Sequence, residues 1–124
     1  MNQSLKILIA DDSDLMRLVI KGFLRKFLCS PEISETHDLP ETFDLLARKP
    51  FDFLFLDINM PKGDSSPGTV KKILAIQSHL KICMFSGNDK TTVEQAYRDA
   101  GAIGFIQKDG NISSALKDVL ANNF

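Results

Sequence analysis

Short strand-like segments alternate five times along this chain with stretches in which apolar side chains recur every three or four positions. The strand-like segments are Leu5 to Ala10, the weaker Glu32 to Thr36, Phe51 to Leu56, Lys81 to Phe85, and Ala102 to Gln107. The stretches between them carry the spacing of amphipathic helices. In the first helix Leu15, Met16, Val19, Ile20, Phe23, Leu24 and Phe27 are expected to face a core, with Arg17, Lys21 and Arg25 on the opposite stripe. Gly22 inside it costs about 1 kcal/mol relative to alanine, which packing must offset. Asp38-Leu39-Pro40-Glu41 opens the second helix with an N-cap acceptor, a first-turn proline and a glutamate three residues past the cap. Phe43, Leu46 and Ala47 form its buried face, and Lys49-Pro50 ends it. After a loop from Lys62 to Gly68, a third helix carries Val70, Ile73, Leu74 and Leu80 inward. Val93, Ala96, Tyr97 and Ala100 line a fourth that stops at Gly101, and Ile112, Ala115, Leu116, Val119 and Leu120 mark the fifth. This alternation predicts an α/β chain with a doubly wound, five-stranded parallel sheet and five helices. Phe51 to Leu56 is apolar enough to be a central strand buried on both faces.

Right-handed crossovers bring the C-terminal ends of all such strands to one edge, where ligands of open sheets bind. Polar side chains capable of chemistry follow four of these segments: Asp11 and Asp12 the first, Asp57 the third, Ser86 the fourth and Lys108 the fifth. Each has an ordinary reading alone, as a helix cap, a turn or a solvated lysine. Together they predict a site. Three carboxylates in one pocket repel unless a cation or protons intervene. Magnesium suits an open all-oxygen site, with manganese as the alternative ion. Asp11, Asp12 and Asp57, with the backbone carbonyl of Asn59, are the expected ligands. Asp57 is then placed to attack an activated phosphoryl group, Lys108 to face its charge, and Ser86 to donate a hydrogen bond to it.

At 124 residues, 44% of them hydrophobic and 25% charged, the chain is expected to be a single domain over 1–124. A net charge of −1 supports no direct nucleic-acid binding. The apolar start before Asp11 is too short for a signal peptide, and no run is long enough to cross a membrane. Cys29 and Cys83 lack paired spacing and read as reduced thiols in a cytoplasmic protein, Cys83 in the core. His37 and His79 lack metal-ligand spacing.

Over residues 5 to 121 the chain resembles a response regulator receiver domain, the phosphoacceptor module of two-component signalling. The resemblance implies the flavodoxin-like strand order 2-1-3-4-5. It matches Asp11 and Asp12 to the acidic pair, Asp57 to the phosphorylated aspartate, Ser86 to the hydroxyl position, Lys108 to the lysine and Phe105 to the aromatic switch. Asn59 and Asn88 match positions that influence how long the acyl phosphate lasts. It further implies phosphate from a histidine kinase or histidine phosphotransfer protein and autodephosphorylation without turnover catalysis. It implies too that, upon phosphorylation, Ser86 would move towards the phosphate and Phe105 would follow inward. The downstream protein is expected on the face of helix four, strand five and helix five, with the chain a monomer or a phosphorylation-dependent dimer. Three departures stand out. Asp109 follows Lys108 where many receivers have proline, and this Lys-Asp pair resembles that of receivers attached to LuxR-type helix-turn-helix domains. Lys62-Gly63-Asp64-Ser65-Ser66-Pro67-Gly68 replaces a compact turn, and the segment between strand two and helix two lacks the usual glycine.

Three rival readings share parts of this pattern. Asp12-Ser13-Asp14 resembles the Asp-x-Asp of haloacid-dehalogenase-like phosphatases, although Met16 stands where those carry threonine or valine. A flavodoxin-like flavin carrier would need phosphate-binding donors in its first loop, and the acidic loop here repels phosphate unless a metal intervenes. A receiver-like scaffold that does not switch would dispense with the acidic pair, acceptor and lysine, all of which are present.

Overall fold

The computed structural model describes residues 4–87 and 90–124, with the backbone alone for residues 90–92. The strands are β1 (Lys6–Ala10), β2 (Glu32–Thr36), β3 (Phe53–Asp57), β4 (Lys81–Ser86) and β5 (Gly104–Gln107). They alternate with α1 (Asp14–Phe27), α2 (Leu39–Arg48), α3 (Pro67–Ile76), α4 (Lys90–Ala100) and α5 (Ile112–Asn123). All neighbouring strands are parallel, in the order β2-β1-β3-β4-β5.

Alternation along the strands builds two cores. Leu8, Leu54, Leu56, Ile82, Met84 and Phe105 face Leu46 of α2, Val70 and Ile73 of α3, and Tyr97 of α4. Their neighbours Ile7, Ile9, Phe53, Phe55, Phe85 and Ile106 face Ile20 and Leu24 of α1 and Leu116 and Leu120 of α5. Every residue of β3 is buried, as a central parallel strand requires. Between β1 and β3 the strand order reverses, opening the crevice in which such sheets bind ligands.

Several expectations need correction. On α1, Leu15 is 69% exposed and Leu18 is 61% exposed, whereas Arg17, assigned to the solvated stripe, is only 6% exposed. Leu15 faces outward while Arg17 is drawn in by the buried Asp11 carbonyl and the partly buried Glu35. Ala47 of α2 is exposed. Helix α3 begins at Pro67, so Gly68 lies within it, and Leu80 is buried beyond its end. Ser66 and Thr69 make this start possible through a reciprocal capping box. Asp38 caps α2 as expected, but Glu41 reaches back to the His37 amide, one residue before the cap. Strand β3 starts at Phe53, because the Asp52 carboxylate accepts from the Lys6 amide and the Phe51 amide donates to the Gln77 side chain. Gly101 ends α4 with φ +119, a conformation that strains any L side chain, and an added Cβ would also press on the end of the Leu74 side chain at 2.5 Å.

Candidate functional site

Sheet register assembles the site. Ala10 pairs with Leu56, Asp57 with Phe85, and Ser86 with Gln107, so Asp11, Asp57, Ser86 and Lys108 lie along one edge. The ladder runs one residue past the strands: the Asp11 amide donates to the Thr36 carbonyl at 3.1 Å, and the Lys108 amide to the Ser86 carbonyl at 2.7 Å. Asp11, Asp57 and Lys108 each stand two residues after a member of the α1–α5 core, namely Ile9, Phe55 and Ile106. A period of two therefore sends all three side chains to one side. Ser86 follows Met84 of the other core and is fully buried.

The Lys108 amine lies 2.9 Å from Asp11 Oδ2 and 3.2 Å from Asp57 Oδ1. Apart from this ion pair, those two buried oxygens have no hydrogen-bond partner among the described residues. The other Asp11 oxygen accepts from the Ser13 amide at 2.8 Å, which aims Oδ2 into the pocket. Asp12 is exposed, yet one of its carboxylate oxygens lies within 4.8 Å of those of Asp11 and Asp57. Burial first, and the charge of Asp11 second, push the Asp57 carboxyl up from 3.8 to about 6, against the opposing pull of Lys108 and the Asn59 amide. Burial works against the charge on Lys108, but Asp11 and Asp57 outweigh it and hold the amine above its usual range.

Three converging carboxylates, two of whose buried oxygens have only the Lys108 amine as partner among the described residues, fit a hard divalent cation. The donor set is all oxygen, and one side of the pocket is open through Asp12.

Phe105 is already inward, its ring 5.9 Å from that of Tyr97. Asn59 is exposed beside the pocket, and Asn88 lies outside the described residues. Asp14 does not join the acidic group: it is exposed and ion-paired to Arg17. That removes the second carboxylate a phosphatase-type Asp-x-Asp would need.

Two contributors escaped the sequence analysis. Arg17 donates to the Asp11 backbone carbonyl and to the carboxylates of Asp14 and Glu35, bracing the loop that carries the acidic pair. Its signal was a basic residue one turn after an acidic cluster, which resembles any solvated helix stripe. Ser65 is the other. Lys62 and Gly63 adopt left-handed φ of 64° and 123°, and Asp64 closes their turn by accepting from the Met60 amide. The turn delivers the Ser65 hydroxyl to the Asp57 backbone carbonyl at 2.8 Å.

Residues 7–120 match the response regulator receiver domain family. The chemotaxis protein CheY-3 of Vibrio cholerae is 33% identical over 110 residues, covering 87% of this chain and 83% of that one. The nitrate/nitrite response regulator NarP of Escherichia coli is 29% identical over 116 residues, covering 94% of this chain and 54% of that one. The fimbriae Z protein of Escherichia coli is 29% identical over 102 residues, covering 82% and 48%. The chain thus spans about half the length of several of the curated relatives it matches. Among solved structures, chemotaxis protein CheY4 of Vibrio cholerae superposes with a TM-score of 0.81 at 22% identity, covering 98% of this chain and 100% of that one. A response regulator of Burkholderia pseudomallei, holding a phosphorylated aspartic acid and a calcium ion, superposes at 0.80 with 19% identity, covering 97% and 69%. Fold, match and relatives agree: this chain belongs to the response regulator receiver domain family, the phosphoacceptor switch of two-component signalling.

Proposed function

We propose that Asp57 is the phosphoacceptor and that a histidine kinase or histidine phosphotransfer protein is its donor. The observation that carries this reading is the Lys108 amine set between the Asp11 and Asp57 carboxylates. An Asp57 oxygen attacks phosphorus, a P–O bond forms, and the P–N bond to the donor imidazole breaks, the imidazole leaving with the electron pair. Lys108 stays protonated and faces the charge on the transferring oxygens, while the buried Ser86 hydroxyl donates to one of them. Asp11, Asp12, Asp57 and the Asn59 carbonyl would hold magnesium, or manganese, which supplies the positive charge that three carboxylates and a phosphoryl group require. Asn59, and Asn88 by sequence position, set access of water to the acyl phosphate and hence its lifetime. A small phosphodonor with magnesium is expected to add the mass of one phosphoryl group to wild type and none to Asp57→Asn. Equal labelling of both would end the reading.

Leu15 and Leu18 expose apolar surface on the first turns of α1, directly after the acidic pair. A donor delivering phosphohistidine to Asp57 must cover this edge, so these leucines form its docking surface. Leu15→Asp with Leu18→Asp is expected to slow transfer from a phosphorylated donor protein about thirty-fold, as loss of an interface anchor does. Labelling by the small phosphodonor should stay unchanged, and equal slowing of both would place the leucines elsewhere in the mechanism.

The output face is α4–β5–α5, where Arg98, Ile103, Phe105 and Val119 line a shallow recess. Phosphate binds one state better and shifts the population towards it, exposing this face to a downstream protein or to a second copy of the chain.

A further inference from the structure

We propose that Ser65 and Tyr97 form a relay from the backbone of Asp57 to α4 and Phe105, closed in the state that binds the phosphoryl group. It rests on Asp57 being the acceptor. Four residues far apart in sequence are its links. The Ser65 hydroxyl donates to the Asp57 backbone carbonyl at 2.8 Å, and the Ser65 amide to the Ile58 carbonyl at 2.7 Å. The Tyr97 hydroxyl donates to the Ser65 carbonyl at 3.0 Å. The Tyr97 ring then packs on Phe105 at 5.9 Å and 53°. Asp57, Ser65, Tyr97 and Phe105 are all at most 5% exposed.

Burial makes the relay two-state. Opening either hydrogen bond leaves an unpaired polar group out of reach of water, so the links break as a set and do not loosen by degrees. Motion of the loop removes the carbonyl that Tyr97 holds, and outward motion of Phe105 removes the ring on which Tyr97 packs. Tyr97 therefore senses both ends at once, as a bistable coupling element must. The closed relay coexists here with Phe105 inward and with Asp11, Asp12 and Asp57 converged. The convergence of those carboxylates is what a phosphoryl group and its cation need at Asp57, and the relay is closed in the same state, so binding and closure are expected to favour each other. Ser65 and Tyr97 are positioning residues, since neither side chain reaches the carboxylate.

A double-mutant cycle tests this. Wild type, Ser65→Ala, Tyr97→Phe and the double variant are titrated with beryllofluoride and magnesium by calorimetry, after melting curves confirm that each is folded. Each single change removes one hydroxyl and keeps the backbone and ring. Each should weaken binding about five-fold, the worth of one hydrogen bond, and the double variant no more than the weaker single. Losses that multiply in the double variant, or unchanged affinity in the singles, overturn the relay and leave the acceptor reading standing. Wild type that binds no better than Asp57→Asn overturns the acceptor reading and the relay with it.

Discussion

Lys108→Met is expected to destabilise the metal-free protein by about 3 kcal/mol at neutral pH and to slow phosphoryl transfer to Asp57 about a hundred-fold. Lys108 is the cation that faces both Asp11 and Asp57, and its side chain is only 19% exposed. Removing it strands two buried carboxylates beside each other, which costs more than the ion pair itself contributed. The amine is held above its usual range, so its stabilising contribution is complete at neutral pH and disappears only as pH rises through that raised value. The deficit should therefore be largest near neutrality and shrink as pH falls below about 6, where the raised Asp57 carboxyl takes up its proton. Magnesium should restore much of the lost stability, because the same oxygens accept it. Urea unfolding with a chelator and with saturating magnesium, across pH, measures all three effects. A variant as stable as wild type in chelator at neutral pH would show that the acidic group is not held in tension.

Asp57→Asn should act in the opposite sense, stabilising the metal-free protein by about 2 kcal/mol at neutral pH, or roughly 6 to 10 °C in Tm. The carboxyl is raised from 3.8 to about 6, so the folded state binds its proton more tightly than the unfolded chain does. Its ionisation then costs nothing below about pH 4, an increasing amount up to pH 6, and the full amount above. That difference corresponds to about 3 kcal/mol, of which asparagine recovers most but leaves Lys108 with one fewer counter-charge. Wild-type stability should accordingly fall between pH 4 and 6 by a step that is absent in Asp57→Asn. Magnesium should raise the Tm of wild type more than that of the variant, narrowing the gap. Equal melting temperatures in chelator at pH 7 would contradict the burial and repulsion that define the pocket.

The sheet and its edge were legible because their signals are local or periodic. β3 reads as central from its unbroken apolar run, and Asp11, Asp57 and Lys108 are conspicuous as charges that follow apolar segments. The extent of α3 was partly legible: Ser66-Pro67 is an N-cap followed by proline, although the Ser, Pro and Gly content of the segment suggested loop through Gly68. Arg17 and Leu15 were misassigned for a different reason. Hydropathy ranks leucine as the inward residue, but Arg17 is buried with its guanidinium on the Asp11 carbonyl, the partly buried Glu35 and the exposed Asp14.

What the chain determines by itself is therefore the alternation of elements, the two-faced character of its strands and the identity of the groups at the crevice, since period and residue chemistry are properties of the polymer. Only the folded molecule decides that the Lys108 amine spans Asp11 and Asp57, that Arg17 braces the acidic loop, and that Ser65, Tyr97 and Phe105 touch. Those contacts join residues on separate elements, and their geometry comes from parallel register and from the competition of buried polar groups for partners, neither of which has a local signature.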